Sequence, residues 1–87
     1  MYKVIIENKV IKQILKLNNP IRDEIIAAIE KLSAEPRGNN VKKLYGNIGY
    51  RLRTNVFRVL FDISDKDKLV RVYKIGHRKD VYNKGLN

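Results

Sequence analysis

The chain opens on an apolar run, Val4-Ile5-Ile6, whose β-branched residues predict a strand over residues 2–7. The spacing then changes. Val10, Ile11, Ile14, Leu15 and Leu17 recur at helical intervals, with Lys9, Lys12, Gln13 and Lys16 on the other side. A short amphipathic helix follows from that pattern, with Asn8 placed to cap it. Asn18-Asn19-Pro20 ends it, because proline cannot continue the hydrogen-bond ladder but fits the first turn of a new helix. The second helix carries Ile21, Ile25, Ala28, Ile29 and Leu32 as its apolar stripe, with Asn19 as its cap and Asp23 and Glu24 in its first turn. It stops at Glu35-Pro36-Arg37-Gly38. Two antiparallel helices joined by a tight turn are the simplest outcome. Gly38 to Asn40 reads as a loop, and Lys42-Lys43-Leu44-Tyr45-Gly46 as a solvated connector from which Leu44 or Tyr45 plugs the core.

From Gly49 onward the period is two. Tyr50 and Leu52 share one face of a strand while Arg51 and Arg53 share the other. After a turn at Thr54-Asn55, Phe57, Val59 and Phe61 alternate with Arg58, so two neighbouring strands bury an aromatic face and display Arg51, Arg53 and Arg58 together. Ser64 to Lys68 is a polar turn and Leu69 to Ile75 a third strand, apolar on both faces as suits a central position. Gly76 frees the backbone to turn, so His77, Arg78 and Tyr82 are expected to fold back over the arginine face. At 87 residues the chain has room for a single domain, spanning residues 1–87.

Composition narrows the chemistry. The 87 residues hold no cysteine and one histidine, so disulfides, thiolate metal sites and multi-histidine centres drop out and no metal or cofactor is expected. No signal peptide and no apolar segment of membrane-spanning length is present, and the expectation is a soluble, cytoplasmic protein. Lys and Arg number 19 against 9 Asp and Glu, a formal charge of +10. That balance draws polyanions: nucleic acid, an anionic membrane or an acidic protein. No helix pairs a broad apolar face with an all-basic one, which leaves the membrane least supported.

Singly, an arginine on a solvated sheet face keeps a protein soluble or guards an edge. From Val41 to Phe61, however, there are five basic residues and no acid. Guanidinium groups so gathered repel one another unless an anion sits between them, and the planar fork of arginine fits phosphate oxygens in bidentate fashion.

In the order and spacing of Lys43-Leu44-Tyr45-Gly46, Tyr50-Arg51-Leu52-Arg53, Phe57-Arg58-Val59-Leu60-Phe61 and Ile75-Gly76-His77-Arg78-Lys79-Asp80-Val81-Tyr82, the chain resembles the RelE/ParE superfamily of toxin–antitoxin toxins, the RelE branch in particular. The resemblance implies a compact α+β fold of an N-terminal strand, a helical hairpin and an antiparallel meander, and a ribosome-dependent endoribonuclease that cuts messenger RNA in the vacant A site, held inactive by a cognate RelB-like antitoxin. It implies that Arg51 and Arg53 are basic active-face residues. It gives Arg58 to the scissile phosphate, Arg78 to the leaving 5′ oxygen, and Tyr82 to proton abstraction and base stacking. His77 falls where members vary. Lys42, Lys43, Lys74 and Lys79 are assigned to ribosomal RNA contact. Within the superfamily the ParE branch acts against DNA gyrase without cutting RNA, and a small basic sheet can also serve as a non-catalytic RNA-binding domain.

The chemistry of the residues agrees with the nuclease reading. RNA is cut without metal when its 2′-OH is deprotonated and attacks the adjacent phosphorus, provided the phosphoryl charge is neutralised and the 5′ oxygen gains a proton. A phenol titrates near pH ~10, but cationic neighbours favour its phenolate, which makes Tyr82 a credible base. His77 competes, its intrinsic pKa lying closer to neutrality.

Overall fold

The structure is a computed structural model that describes residues 1–81. Strand β1 (Lys3–Ile6) leads into helix α1 (Asn8–Leu15), then α2 (Ile21–Glu30), which tightens into a 3₁₀ turn at Lys31–Ser33. Strands β2 (Val41–Lys43), β3 (Tyr50–Thr54), β4 (Phe57–Ser64) and β5 (Leu69–His77) follow, and the short helix α3 (Arg78–Val81) closes the described chain. The five strands form one sheet in the order β1-β5-β4-β3-β2. Every neighbouring pair is antiparallel except β1 with β5.

Burial follows the expected periods, more narrowly than the apolar stripes alone. On α1, Val10 and Ile14, one turn apart, are buried while Ile11 and Leu15 remain exposed. Ile25 and Ile29 do the same for α2, and Leu32 seals its end. These side chains pack on Leu52, Val59, Phe61, Val70, Val72 and Ile75, so both helices cover one face of the sheet. Phe61 is fully buried at its centre. Its truncation to alanine is expected to cost about 3–5 kcal/mol.

Four local readings are refined. Asn8 does not cap α1, because it already lies inside the helix. The N-cap position belongs to Glu7, whose carboxylate is committed to Arg71. The N-cap of α2 is Pro20 and not Asn19, which stands one residue earlier and still serves the first turn, its Oδ1 accepting the Asp23 N–H at 3.1 Å. Lys42 and Lys43, expected to begin a connector, belong with Val41 to an edge strand paired with β3; three residues are too short to show alternation. Finally, the buried apolar residues of β5 share one face and not two, for a local reason. Leu60 pairs with Lys74 but Phe61 pairs with Val72, so Tyr73 is an extra residue in the ladder. Such a bulge resets the alternation and lets Val70, Val72 and Ile75 all face the core.

The N-terminal strand is held at both ends. Tyr2 N–H donates to Ser33 O at 2.8 Å, Lys3 N–H to Lys68 O at 2.8 Å and Glu7 N–H to Val72 O at 3.0 Å. Side chains reinforce this seam. Arg37 forks onto Asp65, with Nη1 at 3.1 Å from Oδ1 and Nη2 at 2.9 Å from Oδ2, and the Tyr2 hydroxyl donates to the same Oδ1 at 2.6 Å. The Arg37 fork first, and then the Tyr2 hydroxyl, hold the Asp65 carboxyl at about 2.

Candidate active site

The face away from the helices is built from β3 and β4. Arg53 stands directly opposite Arg58 in the register, and Arg51 opposite Leu60, so alternation puts Arg51, Arg53 and Arg58 on one surface as expected. Like charges directly opposite on a sheet are unfavourable in the absence of an anion. Lys42 joins this face opposite Arg51, and Lys74 joins it opposite Leu60. Lys43 pairs with Tyr50 and falls on the other side of the sheet.

Beneath the cations lies a small second core. Leu60 is 0 % exposed although it belongs to the arginine side, and the register flanks it with Arg51 and Lys74, whose aliphatic stems suit that cover. Val81 is likewise buried, at 1 % exposure. A Cβ built on Gly76 would stand 3.4 Å from the Val81 Cβ. Gly76 shares the Arg58 face, so α3 does fold back over this surface, and the absent side chain at position 76 is what lets it lie close.

The turn between β3 and β4 organises one end of the site. Asn55 adopts φ 57°, a left-handed conformation that asparagine tolerates. Its Oδ1 accepts the Val56 N–H at 2.8 Å and its Nδ2 donates to Glu24 Oε1 on α2 at 3.0 Å. Arg58 Nη1 then donates to the carbonyls of Asn55 at 3.2 Å and Phe57 at 2.9 Å. Arg78 is tied to the same turn, its N–H donating to Val56 O at 2.7 Å. Arg53, Arg58 and Arg78 therefore gather at one end of the sheet.

His77 goes elsewhere. It pairs with Phe57, not with an arginine, and its ring meets the Phe57 ring edge-on at 5.9 Å on the side facing α1. The strand runs one register step further than Gly76, and that step sends the imidazole to the opposite face. Its Nδ1 accepts the Lys79 N–H at 3.1 Å, which in the neutral ring puts the proton on Nε2. In that tautomer the one basic lone pair of the ring, on Nδ1, is engaged by the backbone. Lys79 is exposed on α3, and Tyr82 lies outside the described residues.

At the opposite end, Arg71 is clamped by Glu7 and by Asp62, the latter at 2.6 Å, and lies over the Tyr73 ring at 5.7 Å. Burial first, and then the Asp62 charge, push the Tyr73 phenol up, so it stays a donor to Ile48 O. The Arg37–Asp65 fork and this clamp were invisible in the sequence, because their partners lie far apart along the chain. Among the described residues no group of three His, Asp or Glu side chains comes together to hold a metal, and no helix is long and apolar enough to cross a membrane.

Residues 4–82 match the family model described as the ParE toxin of type II toxin–antitoxin system, parDE. No curated protein sequence matches the chain. Among solved structures, the fold is similar to that of the archaeal RelE–RelB complex from Pyrococcus horikoshii, with a TM-score of 0.78, 27% identity and coverage of 91% of this chain and 97% of that one. A RelBE toxin–antitoxin complex from Mycobacterium tuberculosis superposes with a TM-score of 0.77 at 24% identity, over 88% of this chain and 98% of that one. The isolated RelE toxin of E. coli gives 0.75 at 21% identity, over 99% and 96%. With the family model covering nearly all of the chain and RelE toxins among its structural neighbours, the protein belongs to the ParE toxin family of type II toxin–antitoxin systems and stands on the RelE branch of the RelE/ParE superfamily.

Proposed function

We propose that the protein is a ribosome-dependent endoribonuclease that cuts messenger RNA in the A site, and that a RelB-like antitoxin binds it to keep it inactive. The observation that carries the reading is the pairing of Arg53 with Arg58 on one sheet face, with the main chain of Arg78 tied to the adjoining turn and Arg58 oriented by two carbonyls before any ligand arrives. A guanidinium held in place by its own turn needs little reorganisation to meet a phosphate, which is the condition for strong transition-state stabilisation.

In the proposed reaction the 2′ oxygen loses its proton, forms a bond to the adjacent phosphorus and displaces the 5′ oxygen. The products carry a 2′,3′-cyclic phosphate and a 5′-OH. Arg58, with Arg51 and Arg53 beside it, neutralises the charge gathering on the phosphoryl oxygens. Arg78 assists the departing 5′ oxygen, which takes a proton from solvent to leave as the hydroxyl. Tyr82 accepts the 2′ proton, an assignment supported by the hydrogen bond that commits the Nδ1 of the rival His77 to Lys79. Lys42, Lys74 and Lys79 contribute charge toward ribosomal RNA, while Lys43, on the other side of the sheet, does so only at the β2 edge. The ribosome supplies the alignment that so small a constellation lacks.

The match to a ParE model favours a second reading, inhibition of DNA gyrase without RNA cleavage. Purified ribosomes programmed with a message, read by primer extension and run beside a gyrase supercoiling assay, separate the two. Cuts within the A-site codon support the ribonuclease, and loss of supercoiling with intact message supports the alternative. Co-purification with the product of an adjacent small gene tests the antitoxin.

A further inference from the structure

We infer that Tyr45 is a stacking anchor for an unpaired RNA base, extending the cationic face of β2 and β3 by one aromatic contact. The inference deepens the reading of that face as an RNA surface. Of the two residues expected to plug the core from this segment, Leu44 is half-buried and Tyr45 is 99 % exposed. Its ring is nevertheless on a closed loop. Leu44 N–H donates to Gly49 O at 2.9 Å across the loop base, Gly46 takes φ 71°, and the Tyr73 hydroxyl holds the Ile48 carbonyl from the neighbouring strands. A phenol presented whole to solvent by a fastened loop forfeits the burial that usually accompanies an aromatic side chain. That cost is recovered when a partner covers the ring.

Charge selects the partner. Lys42 and Lys43 are exposed just before the loop, with Lys42 in register with Arg51. The carboxylates that share a pocket with Ile48 of this loop, Asp62 and Glu7, are both engaged by the Arg71 guanidinium. The tip is therefore positive, and an acidic backbone with π-faces attached fits both features. A duplex keeps its bases stacked on one another, whereas single-stranded RNA offers an open face to an aromatic ring beside its phosphates.

The test is a fluorescence titration of the purified chain with a single-stranded RNA oligonucleotide carrying 2-aminopurine. The parent chain should bind and quench. Tyr45→Ala should weaken binding by about 5- to 150-fold, the range for loss of one base stack, and abolish the quenching. Tyr45→Phe should keep both, since the ring suffices. The log–log salt slope should be unchanged in Tyr45→Ala but fall by about 0.7 in Lys42→Ala, which removes a phosphate contact. Thermal stability of Tyr45→Ala should equal that of the parent, because the ring is fully exposed. Parent-like binding and quenching by Tyr45→Ala overturn the inference, as does a parent chain that binds no oligonucleotide, or a Tyr45→Ala chain that loses only antitoxin binding. The readout is separate from cleavage. Tyr45-dependent quenching in a chain that cuts no message on ribosomes would leave this inference standing and remove the ribonuclease reading; cleavage with Tyr45-independent binding would do the reverse.

Discussion

Arg58 is joined to Asn55 by a hydrogen bond from its Nη1 to the Asn55 carbonyl oxygen, 3.2 Å away. A turn residue thus orients the guanidinium proposed to meet the scissile phosphate. Asn55 can do this because its own left-handed backbone is secured by side-chain bonds to Val56 and to Glu24 of the second helix. The turn, the helix and the site are one connected unit.

Arg58→Ala should lower single-turnover cleavage at saturating ribosome by about 10² to 10³, the usual loss for one preorganised charge-stabilising donor. Ribosome binding should change little. Arg58→Lys keeps the charge but loses the fork, so it should recover only part of the rate. Cleavage by Arg58→Ala at the parent rate would remove Arg58 from the chemistry.

Asn55 acts through Arg58, so its replacement should alter rate more than affinity. Asn55→Gly accepts the positive φ and should remain close to the parent in stability, while Asn55→Val should lose about 1–2 kcal/mol because a β-branched residue is strained there. A urea melt of both variants beside their cleavage rates checks the ordering. Equal effects of glycine and valine would mean that the backbone conformation is unimportant.

Tyr82→Phe retains the ring and deletes the titratable oxygen, and should slow cleavage at saturating ribosome. His77→Gln should cut at close to the parent rate, since the imidazole lies on the other face of the sheet beside Phe57. The products should end in a 2′,3′-cyclic phosphate and a 5′-OH. The reverse ranking of the two variants would make His77 the base, and 5′-phosphate ends would exclude attack by the 2′-OH.

The Asp65 carboxyl is lowered by Arg37 and Tyr2 from 3.8 to about 2. A depressed folded-state pKa contributes stability above the unfolded value, and that contribution disappears as pH falls from about 4 toward about 2. Thermal melts of the parent and Asp65→Asn should therefore differ at neutral pH and converge through that acid window. The pair is exposed, so the difference should be small and should shrink in salt. A gap that persists unchanged at pH ~2 would show that the ion pair is not its source.

Gly49 and Gly46 both have positive φ, 110° and 71°, but differ in their surroundings. A Cβ on Gly49 would come within 2.5 Å of the Phe61 carbonyl oxygen, whereas one on Gly46 meets nothing within 4 Å. Gly49→Ala should cost about 2–4 kcal/mol, strain plus clash, and Gly46→Ala about 1 kcal/mol, strain alone. Denaturant midpoints measure both, and equal losses would discount the contact with Phe61.

Local periodicity was enough to find the two helices, the meander and the shared face of Arg51, Arg53 and Arg58, since strand alternation and a two-residue turn dictate which side chains point together. It was also enough to place Asn19 at the start of α2. What it lacked was everything set by partners distant in sequence. The parallel docking of β1 on β5, the edge strand at Val41–Lys43, the Tyr73 bulge and the Arg37–Asp65 fork depend on hydrogen bonds between segments that carry no mutual signal in one chain. His77 is the clearest case. Its sequence neighbour Gly76 belongs to the arginine side, yet one further residue of pairing with Phe57 reverses its direction. Tyr45 is the complementary case: an aromatic beside Leu44 looks like a core plug until the loop closes and leaves its ring in solvent. In a strand or a closed loop, direction is decided by register, and register is a property of the tertiary partner.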